Sequence, residues 1–225
     1  MKKCLVLLSG GVDSSTALAL AIRDFDEVIA LSVSYGQKHE RELKSAADIA
    51  KHYGVTLKTI DLNAVFSDSD CSLLANSEAE IPKESYAEQI KKTGGLTPVS
   101  TYIPFRNGLF ISTAAAVALS NGCEAVLYGA HADDSAGNAY PDCSPEFFDA
   151  MNSALVTGSG GGIVLLAPFV KMNKADIVKL GLTLKVPYEL TWSCYVGGIK
   201  PCGVCGTCID RAGAFAAAGI EDPAM

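Results

Sequence analysis

Two hydrophobic periods alternate along this chain, and the alternation predicts strands separated by helices. Five short apolar runs are typical of buried strands; they are KCLVLLS (3–9), EVIALSVSY (27–35), TLKTIDL (56–62), EAVLYGA (124–130) and GIVLLAPF (162–169). Apolar residues at helical spacing predict helices over 14–25, 40–53, 109–120, 147–155 and 174–180, with a short helix closing the chain. Repeated β-α units of this kind imply an α/β fold with a doubly wound, mostly parallel sheet and right-handed crossovers.

Two segments interrupt this rhythm. Residues 67–100 are polar and long for a plain connection, so we expect an insertion that lies over the active face and is partly mobile. Residues 192–208 are rich in glycine and cysteine. The sequence therefore predicts an α/β domain over 1–190 and a small metal-binding segment with a closing helix over 191–225.

The first predicted strand leads into a loop of glycines and small polar residues, SGGVDSST (9–16). In an open parallel sheet, ligands bind at the carboxyl ends of the strands. Glycines let the backbone approach an anion, and the N–H groups of the following helix point toward it. We expect Asp13, Ser14 and Ser15 to cap that helix and to bind phosphate oxygens or Mg²⁺. The alternative is a plain strand-to-helix turn.

This loop matches neither G-x-x-x-x-G-K-[ST] nor G-x-G-x-x-G, which excludes the Walker and dinucleotide-binding loops. SGGVDS instead resembles the pyrophosphate loop of the PP-loop, or N-type, ATP pyrophosphatases, which are adenine nucleotide alpha hydrolase-like in fold. In that family the loop holds the departing pyrophosphate while a substrate oxygen attacks the α-phosphate, so the resemblance implies adenylation with ATP and Mg²⁺. It implies nucleotide contacts from the loop and the first helix, at Leu8, Ser9, Gly10, Gly11, Val12, Asp13, Ser14, Ser15, Thr16, Ala17 and Leu18.

Four of the eight cysteines crowd into fifteen residues, CYVGGIKPCGVCGTC, at Cys194, Cys202, Cys205 and Cys208. C-x-x-C spacing lets sulfurs approach one ion from a tight turn, and the neighbouring glycines free backbone N–H groups to face the sulfurs. Four thiolates suit a closed structural zinc site. An iron–sulfur cluster is the rival, since it also accepts four cysteines, and a redox pair fits this spacing less well.

Three further stretches carry candidate chemistry, one after the second predicted strand, one at the start of a predicted helix and one after the fourth predicted strand. They are YGQKH with Lys38 and His39, PFRN with Arg106 and Asn107, and YPDC with Tyr140 and Asp142. Taken singly, each has an ordinary interpretation as a cap, a surface position or a turn. Lys171, after the fifth predicted strand, is a lesser candidate for phosphate contact.

Taken in order, the loop, these three stretches and the four-cysteine tail resemble the 7-cyano-7-deazaguanine synthase (QueC) family over nearly the whole chain. The resemblance implies that 7-carboxy-7-deazaguanine, ammonia and ATP are converted into the nitrile through adenylated carboxylate and amide intermediates. We expect Asp13, Ser14 and Arg106 to act in catalysis by binding and electrostatically stabilising the phosphates. Arg106 and Asn107 would bind the nucleotide.

The substrate side of the predicted site rests on fewer signals. Lys38, His39, Tyr140 and Asp142 are the expected substrate-binding residues. A carboxylate can accept both N–H groups on the guanine-like edge of the base, and Asp142 is favoured, with Asp133 and Asp134 as alternatives. Asp142 could instead only cap the helix that begins near Pro145.

The sequence departs from the family pattern at three places on this side. Phe105 stands where the family usually has glycine before Arg-Asn, and Ser144 stands where arginine is common after YPDC. The segment 129–143 is about two residues longer than expected. These differences affect the substrate side of the site more than the ATP chemistry.

Charge and composition limit the partners. The net charge of −7 argues against a nucleic-acid-binding surface, and no apolar stretch approaches the ~20 residues of a membrane span. We therefore expect a cytoplasmic enzyme of small molecules, without nucleic-acid or membrane partners, and a homo-oligomer, most simply a dimer. Two alternatives stay open, a tRNA-thiolating PP-loop enzyme and a non-catalytic QueC-like nucleotide-binding module.

Overall fold

One sheet of five parallel strands forms the centre of the molecule in the computed structural model, which describes residues 2–225. The strands are β1 (Lys3–Leu7), β2 (Glu27–Ser34), β3 (Thr56–Asp61), β4 (Ala125–Leu127) and β5 (Val164–Leu166). Their spatial order is β3-β2-β1-β4-β5, with every neighbouring pair parallel. The predicted α/β class is confirmed. The order reverses beside β1, and such a switch point is where open sheets bind ligands.

Helices cover both faces of the sheet. They are α1 (Val12–Asp24), α2 (Arg41–Tyr53), α3 (Tyr86–Thr93), α4 (Arg106–Ser120), α5 (Ala132–Ser135), α6 (Pro145–Gly158), α7 (Lys174–Thr183) and α8 (Gly206–Ala217). Because side chains alternate across a strand, Leu5 of β1 packs with Ile111 of α4 on one face. Val6, the next residue, packs on the other face with Leu18 of α1 and Ile49 of α2. Each face therefore has its own core.

Strands β4 and β5 are shorter than the apolar runs that predicted them. The backbone leaves the sheet just after β4, where Gly129 packs against the start of α1. A Cβ at Gly129 would lie 3.1 Å from the backbone nitrogen of Ser14. The close approach of the chain to the glycine loop thus ends the strand. By contrast, α2 ends as predicted at Gly54, which has a φ of +66°.

The insertion 67–100 contains a helix that the sequence analysis missed. Ser85 and Glu88 form a capping box at the start of α3, which is a recognisable signal for a helix start. Leu73 and Tyr86 from the insertion line the principal cavity, so the insertion does lie over the active face. Its partial mobility stays a prediction.

The C-terminal cysteine segment packs against the sheet domain. The backbone N–H of Trp192 donates to the carbonyl of Gly10 at 2.9 Å. Arg211 of α8 is buried; it pairs with Asp222 at 2.6 Å and donates to the carbonyl of Tyr188 at 3.2 Å. The predicted boundary between 190 and 191 remains a prediction, and the bonds of Trp192 to Gly10 and of Arg211 to Tyr188 cross it. Across residues 2–225, none of the helices has the length and apolar character needed to span a bilayer.

Candidate functional site

A cavity of about 240 Å³ opens at the carboxyl edge of the sheet. The segments that follow β1, β2, β4 and β5 all contribute to its walls, together with α4, the insertion and the cysteine segment. Of the predicted nucleotide-binding residues, five in the first loop line it, namely Leu8, Ser9, Gly11, Asp13 and Ser14. The other six do not line it: Gly10, Val12, Ser15, Thr16, Ala17 and Leu18. Gly10 lies in the loop itself, and the other five belong to α1.

The start of α1 differs from its prediction. The helix begins at Val12 and its N-cap is Gly11, with no side-chain cap. The hydroxyl of Ser15 instead donates back to the carbonyl of Gly11 at 2.7 Å, and the hydroxyl of Ser14 lies 3.0 Å from that of Ser9. The expected capping by Asp13, Ser14 and Ser15 is therefore corrected, because all three lie inside the first turn. An uncapped helix start leaves N–H groups for an anion.

Gly10 holds the loop against α2. It has a φ of +84°, and a Cβ there would lie 2.6 Å from the carbonyl oxygen of Glu42. The hydroxyl of Ser45 donates to the Gly10 carbonyl at 2.9 Å, and the N–H of Trp192 donates to the same oxygen. Only glycine tolerates both the left-handed backbone and this contact. The loop is thus fixed before any ligand arrives.

Asp13 forms an ion pair at the cavity wall with a lysine that the sequence analysis missed. Lys174 Nζ donates to Asp13 Oδ2 at 3.0 Å and lies 3.2 Å from His131 Nε2. Burial by itself would raise the pKa of Asp13, but the positive charge of Lys174 and its hydrogen bond to the carboxylate outweigh burial and hold the pKa below its usual value. Asp13 is therefore ionised, and Lys174 carries a fixed positive charge beside the loop.

A local signal for Lys174 exists in the sequence. Asn173 caps α7 by accepting from the N–H of Asp176 at 2.9 Å, so Lys174 opens the helix that follows β5. Residues there meet the carboxyl edge of the sheet. Lys171, the lysine chosen from the sequence, is exposed and does not line the cavity.

Arg106 lies in the cavity on the β2 side. Its guanidinium group is 5.3 Å from the ring centroid of Tyr35 and 5.8 Å from that of Phe110, distances at which the rings attract the cation. Burial raises the pKa of nearby Glu42, while the charge of Arg106 opposes that rise. Asn107 also lines the cavity. Predicted and observed positions therefore agree for the Arg-Asn pair.

Lys38 and His39 lie away from this cavity, contrary to expectation. Lys38 Nζ donates to the carbonyl of Ala79 at 2.9 Å. His39 Nδ1 accepts from the N–H of Arg41 at 3.3 Å, and its ring packs edge-on against Trp192. Neither residue lines the cavity, although Gln37 before them and Glu42 after them do.

Of Tyr140 and Asp142, only Tyr140 lies at the cavity. Tyr140 lines the cavity, and its hydroxyl is 2.5 Å from that of Thr101. Asp142 does not line it; its Oδ2 accepts from the backbone N–H of Asn107 at 2.9 Å, at the start of α4. The cap of α6 is Ser144, not Asp142. The expected contact of Asp142 with the base is therefore not supported by its position.

The remaining carboxylates near YPDC take different places. Asp133 Oδ2 accepts from the backbone N–H of Lys174 at 2.8 Å and does not line the cavity. Asp134 does line it, as does Asp210 of α8. The sequence analysis did not consider Asp210, because only the packing of α8 against the sheet domain brings it to the site.

Phe105, where the resemblance implied a glycine, adopts a left-handed conformation. Its φ is +54°, and its N–H donates to the hydroxyl of Tyr102 at 2.9 Å. The ring covers Gly108, where a Cβ would lie 2.3 Å from it, and meets the ring of Phe147 at a centroid distance of 5.9 Å. The backbone at Phe105 therefore has a conformation that favours glycine, while the phenyl ring packs on Gly108 and Phe147.

We expect Phe105→Ala to destabilise the protein by about 1 kcal/mol more than Phe105→Gly does. Both variants lose the ring, but only alanine keeps the left-handed strain of roughly 1 kcal/mol. Urea denaturation of both variants measures the difference. Equal stabilities, or a more stable alanine variant, would contradict strain at this position.

The four cysteines of the tail meet at one point. The sulfurs of Cys194, Cys202, Cys205 and Cys208 all lie within 4.8 Å of one another. Cys194 Sγ accepts from the backbone N–H groups of Val196 and Cys202 at 3.4 and 3.3 Å. Such bonds stabilise thiolates around a metal ion. The four sulfurs fit a closed tetrahedral metal site, as predicted. Zinc and an iron–sulfur cluster both accept four cysteines.

Comparisons with known proteins agree on one family. The model of "Queuosine biosynthesis protein QueC" matches residues 3–219. The chain is 46% identical to 7-cyano-7-deazaguanine synthase of Thermoplasma acidophilum, over 99% of this chain and 91% of that protein. It is 42% identical to the synthase of the same name from Archaeoglobus fulgidus, over 99% and 90%.

Solved structures share the fold at low identity. A 4-thiouridine synthetase in complex with RNA and bound ATP superposes with a TM-score of 0.52 at 16% identity, over 84% of this chain and 42% of that one. The NMN synthetase of Francisella tularensis superposes with a TM-score of 0.50 at 16% identity, over 90% and 70%. These matches concern the PP-loop architecture alone.

Proposed function

Because the chain belongs to the QueC family of queuosine biosynthesis proteins, we propose that it converts 7-carboxy-7-deazaguanine and ammonia into 7-cyano-7-deazaguanine at the expense of ATP. The observation that carries the proposal is the cavity in which the glycine loop, Lys174 and Arg106 meet. The names of relatives that match 99% of the chain support the same activity.

The chemistry requires activation of a carboxylate. Its negative charge repels nucleophiles, and oxide is not a viable leaving group. Attack of a carboxylate oxygen on the α-phosphorus of ATP releases pyrophosphate and gives an acyl adenylate; ammonia then displaces AMP to give the amide. A second adenylation, on the amide oxygen, lets loss of AMP and a proton form the nitrile. Each step needs charge stabilisation and positioning more than a protein nucleophile.

The residues of the cavity suit these demands. The uncapped start of α1 offers backbone N–H groups to the departing pyrophosphate, with the hydroxyls of Ser9 and Ser14 beside them. Lys174 would stabilise charge that develops on the α-phosphate, while Asp13 keeps the lysine oriented. Arg106 would bind the nucleotide from the β2 side.

Two metal ions fit the residues present. Mg²⁺, brought with ATP, supplies positive charge to the phosphates; Asp13 could face it, since Asp13 Oδ1 is buried without a hydrogen-bond partner. Zn²⁺ fits the four-cysteine cluster, which has no open position for chemistry and would be structural. That the enzyme is a cytoplasmic homodimer without nucleic-acid or membrane partners stays a prediction.

The products of ATP consumption test this function. Incubation with ATP, ammonium and 7-carboxy-7-deazaguanine should yield AMP, pyrophosphate and the nitrile, as measured by mass spectrometry and nucleotide chromatography. Omitting the deazaguanine is the control and should suppress AMP formation. ADP as the main nucleotide product would contradict adenylation, and AMP without any deazapurine product would point to another acid as the substrate.

A further inference from the structure

Buried polar atoms without a partner concentrate around the principal cavity. Over residues 2–225, the buried side-chain atoms without a hydrogen bond belong to Asp13, Tyr53, Tyr128, His131 and Asp210. Three of these residues, Asp13, Tyr128 and Asp210, line the cavity. An unpaired buried polar group costs about 1–3 kcal/mol, so such groups in a site indicate a polar ligand that completes them.

The order of the strands gives the cavity two different sides, with the glycine loop after β1 between them. On the β2 side, Leu31, Val33 and Phe110 form an apolar surface next to Arg106 and Glu42. On the β4 side the walls carry Tyr128 and Asp134, with Asp210 reaching in from α8. A purine nucleotide base suits the apolar surface beside Arg106. Asp134 and Asp210 face whatever binds on the β4 side.

The two bases of the proposed reaction differ in the edge that they present. Guanine and its deaza analogues offer a ring N–H and an exocyclic amine side by side, which are two donors. The matching edge of adenine pairs one amine with an acceptor nitrogen. A carboxylate accepts from two donors at once and repels an acceptor, so it distinguishes the two bases.

On this basis, and resting on the proposed function, we propose that Asp210 reads the 2-amino edge of the deazaguanine, with Asp134 beside it as a second acceptor. Asp210 differs from Asp133, Asp134 and Asp142 because its Oδ2 is buried and has no partner, and it differs from Asp13 because no lysine pairs with it. Asp134 Oδ2 lies 3.3 Å from His131 Nε2, whereas Asp142 is bonded to the start of α4.

The surroundings of Asp210 are consistent with a ligand-dependent carboxylate. Asp210 reaches the cavity from α8, and its Oδ2 is enclosed by protein without a hydrogen-bond partner. An N–H donor from a bound base would complete this atom. A helix from the cysteine segment thereby contributes directly to substrate choice.

The experiment compares 7-carboxy-7-deazaguanine with its analogue that lacks the 2-amino group. The wild-type enzyme should prefer the amino form by about 10³-fold or more in kcat/KM, because a site built to bond an amine is left unpaired without it. Asp210→Asn should reduce that preference to about tenfold or less, through a higher KM for the deazaguanine. The KM for ATP should stay the same.

Matched variants make the result decisive. Asp176→Asn, an exposed acid on α7, is the control for the substitution itself and should leave the preference intact. Asp134→Asn is an independent test that can be used if Asp210→Asn folds poorly. It should also weaken the preference for the amino form. An unchanged preference in both variants overturns the proposal, and a preference lost only in Asp142→Asn places the base at YPDC. If the wild-type enzyme turns over neither compound, the proposed function itself fails.

Discussion

Replacing Lys174 with methionine should lower kcat/KM for adenylation by about 10²- to 10³-fold, the usual loss when one preorganised charge or donor is removed from a transition state. The ammonium group lies 3.0 Å from Asp13 in the loop that would hold the phosphates. No neighbouring cation in the loop itself can replace it, because SGGVDSST contains none. Steady-state release of AMP and pyrophosphate measures the effect.

The same substitution should also lower the free energy of unfolding, by about 2–3 kcal/mol. Asp13 would be left ionised in a largely buried position, and breaking a buried pair on one side costs up to about 5 kcal/mol. The side chains of Lys174 and Asp13 keep 17% and 20% of their exposure, so solvent screens part of this loss.

A double variant separates the two effects. Asp13→Asn combined with Lys174→Met removes both charges, so it should recover much of the stability while activity stays low. Lys179→Met, in an exposed pair on the same helix, is the matched control and should change neither quantity. Activity that returns together with stability in the double variant would show that Lys174 only supports the fold.

Loss of any cluster cysteine should remove the metal and destabilise the nucleotide site at the same time. In Cys202→Ser, one thiolate of four is missing, and since metal binding supplies folding free energy, we expect a lower Tm and poor solubility. The effect should reach ATP because Trp192, two residues before Cys194, is bonded to Gly10 of the loop. Elemental analysis and titration calorimetry with ATP measure the two losses.

Cys123→Ala is the control for this prediction. Cys123 is also buried, but it lies in the core on one face of the sheet and not in the cluster. It should cost some stability and leave the metal content unchanged. If the wild-type protein contains iron and absorbs visible light, the cluster holds an iron–sulfur centre and the zinc assignment is wrong. If Cys202→Ser leaves the affinity for ATP unchanged, the glycine loop does not depend on the metal segment.

Features that depend on residues close together in the sequence could be predicted from the sequence alone. The five apolar runs became the five strands, the glycine after α2 took its left-handed place, and CxxC spacing brought four sulfurs together. Arg106 and Asn107 begin a helix and line the cavity, whereas their role in binding the nucleotide stays a prediction.

The residues that were missed or misplaced depend on contacts between distant segments. Asp210 belongs to the site only because α8 folds back onto the sheet domain, where the neighbouring Arg211 donates to the carbonyl of Tyr188. Asp142 was favoured from its neighbours in sequence, yet its carboxylate is taken by the start of α4. The spacing of residues along the chain does not show which of several possible partners a carboxylate such as that of Asp142 will bind.

The position of Trp192 gives this protein an optical property. It is the sole tryptophan of the sequence, and its indole Nε1 donates to the carbonyl of Cys194 at 2.8 Å while the Arg41 guanidinium lies 5.4 Å from its ring. The same residue lines the cavity and holds Gly10. We therefore expect its intrinsic fluorescence to change when nucleotide or metal binds, so that occupancy of both sites can be followed in the unlabelled chain.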